Sequence, residues 1–157
     1  MLAGRYDALQ DLRFDRIDRL VFVCLGNICR SPFAEAVARS LGADATSYGL
    51  RATDGRHANP LAVQAARTRS IELGAHRSRR QVELRRNDSV IAVEPAHLSQ
   101  VRAHASTAGA QASLLGLWAF PAQPHIEDPF GLSPEYFDTC FAVIDDAVRR
   151  LVKRVGR

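Results

Sequence analysis

The chain is short of lysine, cysteine and aromatic residues, and each shortage excludes something. Lys153 is its one lysine, against 20 arginines. Three cysteines are too few for a disulfide scaffold, and the odd count leaves at least one thiol free. No apolar run approaches the roughly 20 residues that a bilayer span needs, which excludes a transmembrane helix. Residues 1–15 carry Asp7, Asp11 and Asp15 beside arginines and hold no apolar stretch. A secretory signal is therefore not expected, and a cytoplasmic location is. Aromatic residues make up 7%, and none falls in the one modest arginine cluster of Arg77, Arg79, Arg80, Arg85 and Arg86. Nucleic-acid binding is not expected from so scattered a charge. The arginine excess reads first as a coding bias. An anionic partner is the competing reading, since planar guanidinium forks suit phosphate.

What is present fits one domain. The chain has 157 residues, 46% hydrophobic and 24% charged, with a formal net charge of +4. Leu20 to Cys24 is a short continuous apolar run, the mark of a strand buried on both faces. Ser31-Pro32 then reads as a helix start, with Ser31 as N-cap, running to about Leu41 and stopped by Gly42. Thr46 to Leu50 is a weak strand. Asn59-Pro60 repeats the start signal and leads a helix to about Leu73, ended by Gly74. Ser89 to Val93 reads as a strand, Pro95 to about Ala103 as a helix, and Ala112 to Leu115 as a weak strand. A long loop with Pro121, Pro124 and Pro129 precedes a last helix opened by Ser133-Pro134. Its Phe137, Phe141, Ile144, Val148, Leu151 and Val152 form an apolar stripe. Alternating strands and helices predict a parallel sheet covered on both faces. Residues 1–14 form an extension before the domain of 15–157. Leu2, Tyr6 and Leu9 line one face of a short helix there, while Asp7, Asp11 and Asp15 repel. A short helix or frayed tail is expected, and a docking segment for a partner is the alternative.

Binding sites in such sheets lie at the carboxyl ends of strands. The first strand ends at Cys24, followed by Leu25, Gly26, Asn27, Ile28, Cys29, Arg30 and Ser31. A strand-end cysteine, a tight loop and an arginine at a helix start suit one chemistry. A cysteine attacks as thiolate, and a free thiol has a pKa near ~8.5. Lowering a thiol by three units takes about 4 kcal/mol. A helix dipole supplies about 0.3–1 kcal/mol, so loop amides and the Arg30 charge must supply the rest. The same donors suit a phosphate dianion, which Arg30 can grip through two nitrogens. Ser31 would hold the thiolate through its hydroxyl. A nucleophile that takes a phosphoryl group needs a general acid for the leaving alcohol. Asp128, in the run Glu127-Asp128-Pro129-Phe130, is the candidate, and Glu127 is the alternative.

The run CLGNICRSP followed by FAEAV resembles the phosphate loop of the low-molecular-weight protein-tyrosine phosphatases. Ser47-Tyr48-Gly49-Leu50, His76-Arg77-Ser78-Arg79, Ile91 to Glu94 and Glu127-Asp128-Pro129-Phe130 resemble further segments of that family, from about Phe14 to Val152. The resemblance implies a flavodoxin-like fold with a four-stranded parallel sheet. It implies Cys24 as nucleophile, Arg30 as phosphate clamp, and Asp128 as general acid and then base. Leu25, Gly26, Asn27, Ile28, Cys29, Ser31 and Phe130 would contact substrate, with Asn27, Ser31, Ser47 and His76 bracing the loop. Cys29 would pair reversibly with Cys24 against over-oxidation, or simply fill the loop. Cys140 is expected in the core. No metal or cofactor is implied.

The implied substrate is a phosphotyrosine protein, such as a bacterial tyrosine kinase of exopolysaccharide export, acted on by a monomer or weak dimer. Tyr48 stands where the family has a small residue, so the second strand packs differently or lends an aromatic to the site. Arsenate reductases using an external thiol and protein-arginine phosphatases share the loop. The latter typically carry Thr at the place of Ile28. A non-catalytic phosphate-binding adaptor is the remaining alternative.

Overall fold

In a computed structural model, residues 6–155 are described. Four parallel strands lie in the order β2-β1-β3-β4: β1 Arg19–Cys24, β2 Ala45–Gly49, β3 Asp88–Ala92 and β4 Gln111–Leu114. All six residues of β1 are buried, as a central parallel strand requires. The strands begin one residue earlier than their apolar runs. The reason for β1 and β3 is visible at their shared start, where Arg19 faces Asp88 in register. Arg19 donates from Nε and Nη2 to the two Asp88 oxygens at 2.8 and 2.7 Å. An apolar pattern cannot register such a pair, whose polar ends satisfy one another inside the fold.

One short helix, α1 Asp7–Gln10, precedes the sheet, and four follow its strands: α2 Arg30–Ser40, α3 Pro60–Arg67, α4 Leu98–Ala108 and α5 Pro134–Val155. The step from β1 to β2 moves one way along the sheet and that from β3 to β4 the other. Right-handed crossovers therefore place α2 and α4 on opposite faces. α5 packs on α2, where Phe33 stacks on Phe141 at 4.0 Å and Phe137 meets Phe141 edge-on at 6.2 Å. Of the predicted stripe, Phe137, Phe141, Ile144, Val148 and Leu151 are fully buried, and Val152 is half-buried at its margin.

Two helix ends differ from expectation. α3 stops at Arg67, not Leu73. Ser70 takes a left-handed φ of 60°, Ile71 N–H bonds Ala66 O, and Ser70 N–H bonds Arg67 O. This Schellman closure normally announces itself with glycine, and a serine in its place hides it. α4 runs to Ala108 rather than Ala103 and closes in the same way around Gly109. α3 starts as expected, with Asn59 Oδ1 accepting from Leu61 N–H at 2.9 Å.

The N-terminal segment forms a short helix, α1, docked on the outer strand. Ser113 Oγ donates to Leu9 O at 2.7 Å, and Gln111 bonds both the N–H and the C=O of Arg13. Leu9 and Leu12 are buried. The expected helix face includes Leu2, which lies outside the described residues.

Candidate active site

β2 and β3 flank β1 on opposite sides, so the crevice at the end of β1 is the switch point of the sheet. Cys24 ends β1 there. Its Sγ lies 2.9 Å from Ser31 Oγ and accepts from Asn27 N–H at 3.3 Å.

Ser31 does not cap α2. The N-cap is Cys29, which makes no side-chain cap bond, and Ser31 is the second helical residue. Its hydroxyl is engaged by Cys24 and by Asn27 Nδ2 at 2.8 Å. Pro32 falls third, where the missing N–H is still one that a helix leaves unpaired. The sequence signal placed the helix start two residues late, and of the two uses read for the Ser31 hydroxyl, cap and thiolate partner, the structure shows the second.

Asn27 is the centre of the loop's scaffold. It is fully buried with a left-handed φ of 55°. Besides Ser31, its Nδ2 donates to Ser47 Oγ at 2.9 Å, and its Oδ1 accepts from Arg79 N–H at 3.0 Å. His76 Nε2 donates to Asn27 O at 2.7 Å. The neutral tautomer this bond selects carries its proton on Nε2. Burial pushes His76 below the usual histidine range, although the bond to Asn27 and the charge of Glu35 oppose the shift. All four expected loop-bracing residues, Asn27, Ser31, Ser47 and His76, are thus joined in one hydrogen-bonded set.

Arg30 is 1% exposed, so its charge needs compensation from within. Nη1 donates to Ile126 O at 2.7 Å and Nη2 to Glu94 Oε1 at 2.8 Å, with Asp128 Oδ2 at 3.6 Å. Burial opposes the charge, but Cys24, Asp128 and Glu94 hold the guanidinium above its ordinary pKa. Asp128 is fixed on its other oxygen, which accepts from Phe130 N–H at 3.1 Å in an Asx-type turn.

Cys24, Leu25, Gly26, Ile28, Cys29, Arg30, Asp128 and Phe130 line one pocket of about 200 Å³. Glu127, the alternative acid, lines a neighbouring cavity instead, where Cys140 Sγ–H points at its carbonyl at 3.6 Å. Cys140 is buried as expected, and burial raises its thiol to about 12. Cys29 is also buried and its thiol is pushed up. Tyr48 does not enter the pocket. Its hydroxyl meets His104 Nδ1 of α4 at 2.9 Å, so the second strand packs differently.

Three residues escaped the sequence reading. Arg51 stands at the pocket mouth, its N–H bonded to Leu25 O at 2.9 Å. Glu94 holds Arg30. Gly49 passes so close beneath the loop that a Cβ would lie 2.6 Å from Leu25 O and 2.8 Å from Asn27 N. The Ser-Tyr-Gly signal was available for Gly49. Glu94 closes the Ile91 to Glu94 segment of the resemblance, and nothing local marked Arg51.

A family model described as low molecular weight phosphotyrosine protein phosphatase matches residues 19–157. The chain belongs to that family. It is 30% identical over 146 residues to the low molecular weight protein-tyrosine-phosphatase Etp of Escherichia coli K12, covering 90% of this chain and 97% of that protein. The crystal structure of Erwinia amylovora tyrosine phosphatase AmsI superposes with a TM-score of 0.78 at 26% identity, covering 90% of this chain and 95% of that one. The YwlE arginine phosphatase of Geobacillus stearothermophilus gives 0.76 at 26% identity, covering 88% and 92%. The family fold thus serves both phosphotyrosine and phosphoarginine enzymes. The 18 residues before Arg19 lie outside the family match. Among the described residues no helix is long and apolar enough to cross a membrane, and no three His, Cys, Asp or Glu side chains group as metal ligands.

Proposed function

We propose that the protein is a cytoplasmic protein-tyrosine phosphatase working through a cysteinyl-phosphate intermediate. The observation that carries this is the single small pocket in which Cys24, Arg30 and Asp128 converge. The Cys24 thiolate attacks phosphorus, and the ester oxygen departs on the opposite side. The loop amides and Arg30 hold the non-bridging oxygens, where charge builds up. Asp128 gives its proton to the leaving phenolate oxygen. Asp128, now ionised, takes a proton from water as that water attacks the phosphocysteine. Inorganic phosphate leaves and the thiolate returns, held by Ser31 Oγ and Asn27 N–H.

Ile28 and Phe130 give the pocket apolar walls, which suits a phenyl phosphate. The proposed substrate is a phosphotyrosine protein, with an exopolysaccharide-associated tyrosine kinase as the partner that the resemblance points to. Cys29 lines the same pocket and stands as a thiol at neutral pH. With peroxide, Cys24 becomes a sulfenic acid, which condenses with the Cys29 thiol and releases water. Activity lost to peroxide should return with dithiothreitol in the wild type and not in Cys29→Ser.

The test is hydrolysis of p-nitrophenyl phosphate without added metal. It should vanish in Cys24→Ser and fall by about 10²–10⁴ in Asp128→Ala. Activity that survives Cys24→Ser would sink the mechanism. Phosphotyrosine peptide, phosphoarginine protein and arsenate with a thiol, run side by side, test the substrate. A preference for either of the last two overturns it.

A further inference from the structure

Glu94 follows β3 at the rear of the site, and four groups from three parts of the chain face it or its partner arginine. From α2, Arg30 Nη2 donates to Oε1 at 2.8 Å. From the turn before α4, His97 Nε2 lies 3.6 Å from the same oxygen. From the loop before α5, His125 Nε2 lies 3.5 Å from Oε2, and Asp128 Oδ2 sits 3.6 Å from Arg30 Nη2. One carboxylate therefore stands between the arginine of the phosphate pocket and two imidazoles. His97 is buried with its Nδ1 unpartnered, while the His125 side chain is 61% exposed. The mechanism above uses neither histidine.

We propose that His97 and His125 are positioning residues that make oxyanion binding at Arg30 proton-linked. The inference rests on the phosphatase reading only in taking the Arg30 pocket as the oxyanion site. With both imidazoles neutral, Glu94 satisfies itself on Arg30 alone and sets one full negative charge behind the pocket. With imidazolium at 3.5–3.6 Å, Glu94 divides its charge among three cations. Arg30 Nη2 is then held less tightly, and the pocket becomes more positive toward a dianion. Imidazole is the side chain whose charge ordinarily changes between pH 5 and 8. Burial pushes His97 below the usual histidine range, with Glu94 and Asp128 opposing this and Arg30 adding to it. A bound dianion counters the Arg30 charge and so favours the proton. Anion and proton thus assist each other, as linkage requires.

The test is calorimetric binding of inorganic sulfate, a dianion at all pH values used, to the whole chain. Wild type, His125→Gln, His97→Gln and the double variant are compared at about pH 7.5 and about pH 5.5. All four proteins should bind sulfate alike at the higher pH. On going to the lower pH the wild type should tighten about tenfold, and each single variant should lose about threefold of that gain. Repeating the titrations in buffers of different ionisation enthalpy should show fewer protons taken up per sulfate in the variants. A purely structural role for the histidines would not move that count. Equal pH dependence and equal proton uptake in all four proteins would overturn the inference. Because sulfate binding needs no turnover, a protein that shows the histidine-dependent slope but no hydrolysis would refute the phosphatase reading alone.

Discussion

Asn27 holds a left-handed φ of 55° and spends all its polar side-chain atoms on Ser31, Ser47 and Arg79. Such a conformation is costly for a residue with a Cβ and persists only when its surroundings fix it. Ser31 shows what one hydroxyl does there. A hydrogen bond to a charged group is worth about 1.5–3 kcal/mol. Ser31→Ala removes one of the two hydrogen bonds at Cys24 Sγ and should slow its alkylation by iodoacetate about tenfold. His76 gives a second prediction at this scale. Its folded pKa lies below the ordinary 6.5, so the unfolded chain binds more protons as acid is added. Stability from neutral His76 is present above about 6.5 and is lost as pH falls below it. Thermal melts from about pH 7.5 to 5 should show this loss, and His76→Gln should show less of it. Cys24, Arg30 and Ser31 were legible because they share nine adjacent positions from Cys24 to Pro32, and Asp128 because it sits in the short run Glu127 to Phe130. Ser31 carried two readings because cap and thiolate partner call for the same hydroxyl at nearly the same place, and only the cap failed. The roles of Glu94 and Arg51 were not legible because both residues reach the loop only through folding, from after β3 and after β2.

At the scale of elements, the end of β2 and the phosphate loop are in contact along their backbones. Leu50 N–H bonds Cys24 O at 3.0 Å, and Arg51 N–H bonds Leu25 O at 2.9 Å. There is no room for a side chain at Gly49. Gly49→Ala should cost about 1–3 kcal/mol of stability. It should also lower kcat/KM, because the displaced atoms are loop backbone. Retention of full activity and melting temperature would contradict the close approach. The opposite end of the sheet rests on Arg19 and Asp88, the latter with a side chain 1% exposed. Removing one partner leaves a buried charge alone. Asp88→Ala should destabilise by about 3–5 kcal/mol in urea unfolding, with turnover of the remaining folded protein preserved. The order and type of the main elements could be read from apolar runs and Pro or Gly signals. Their ends could not where Ser70 does glycine's work, or where ion-paired residues extend a strand.

For the whole molecule, the parallel sheet, the crossover hands and the position of β1 place one pocket at one crevice. The segment before Arg19 lies outside the family match, yet it is fastened to the edge strand through Leu9 O and Arg13. Charged and half-apolar, the segment lacked any pattern that would show where it docks. Leu9→Ala should cost about 2–5 kcal/mol, which a solvated tail would not. The central claim concerns Cys24. Enzyme mixed with a phosphotyrosine peptide and quenched in acid within a turnover should carry a phosphoryl group on the peptide that contains Cys24. The adduct should be absent from Cys24→Ser. A phosphoryl group on another residue, or turnover with none on Cys24, would contradict the account.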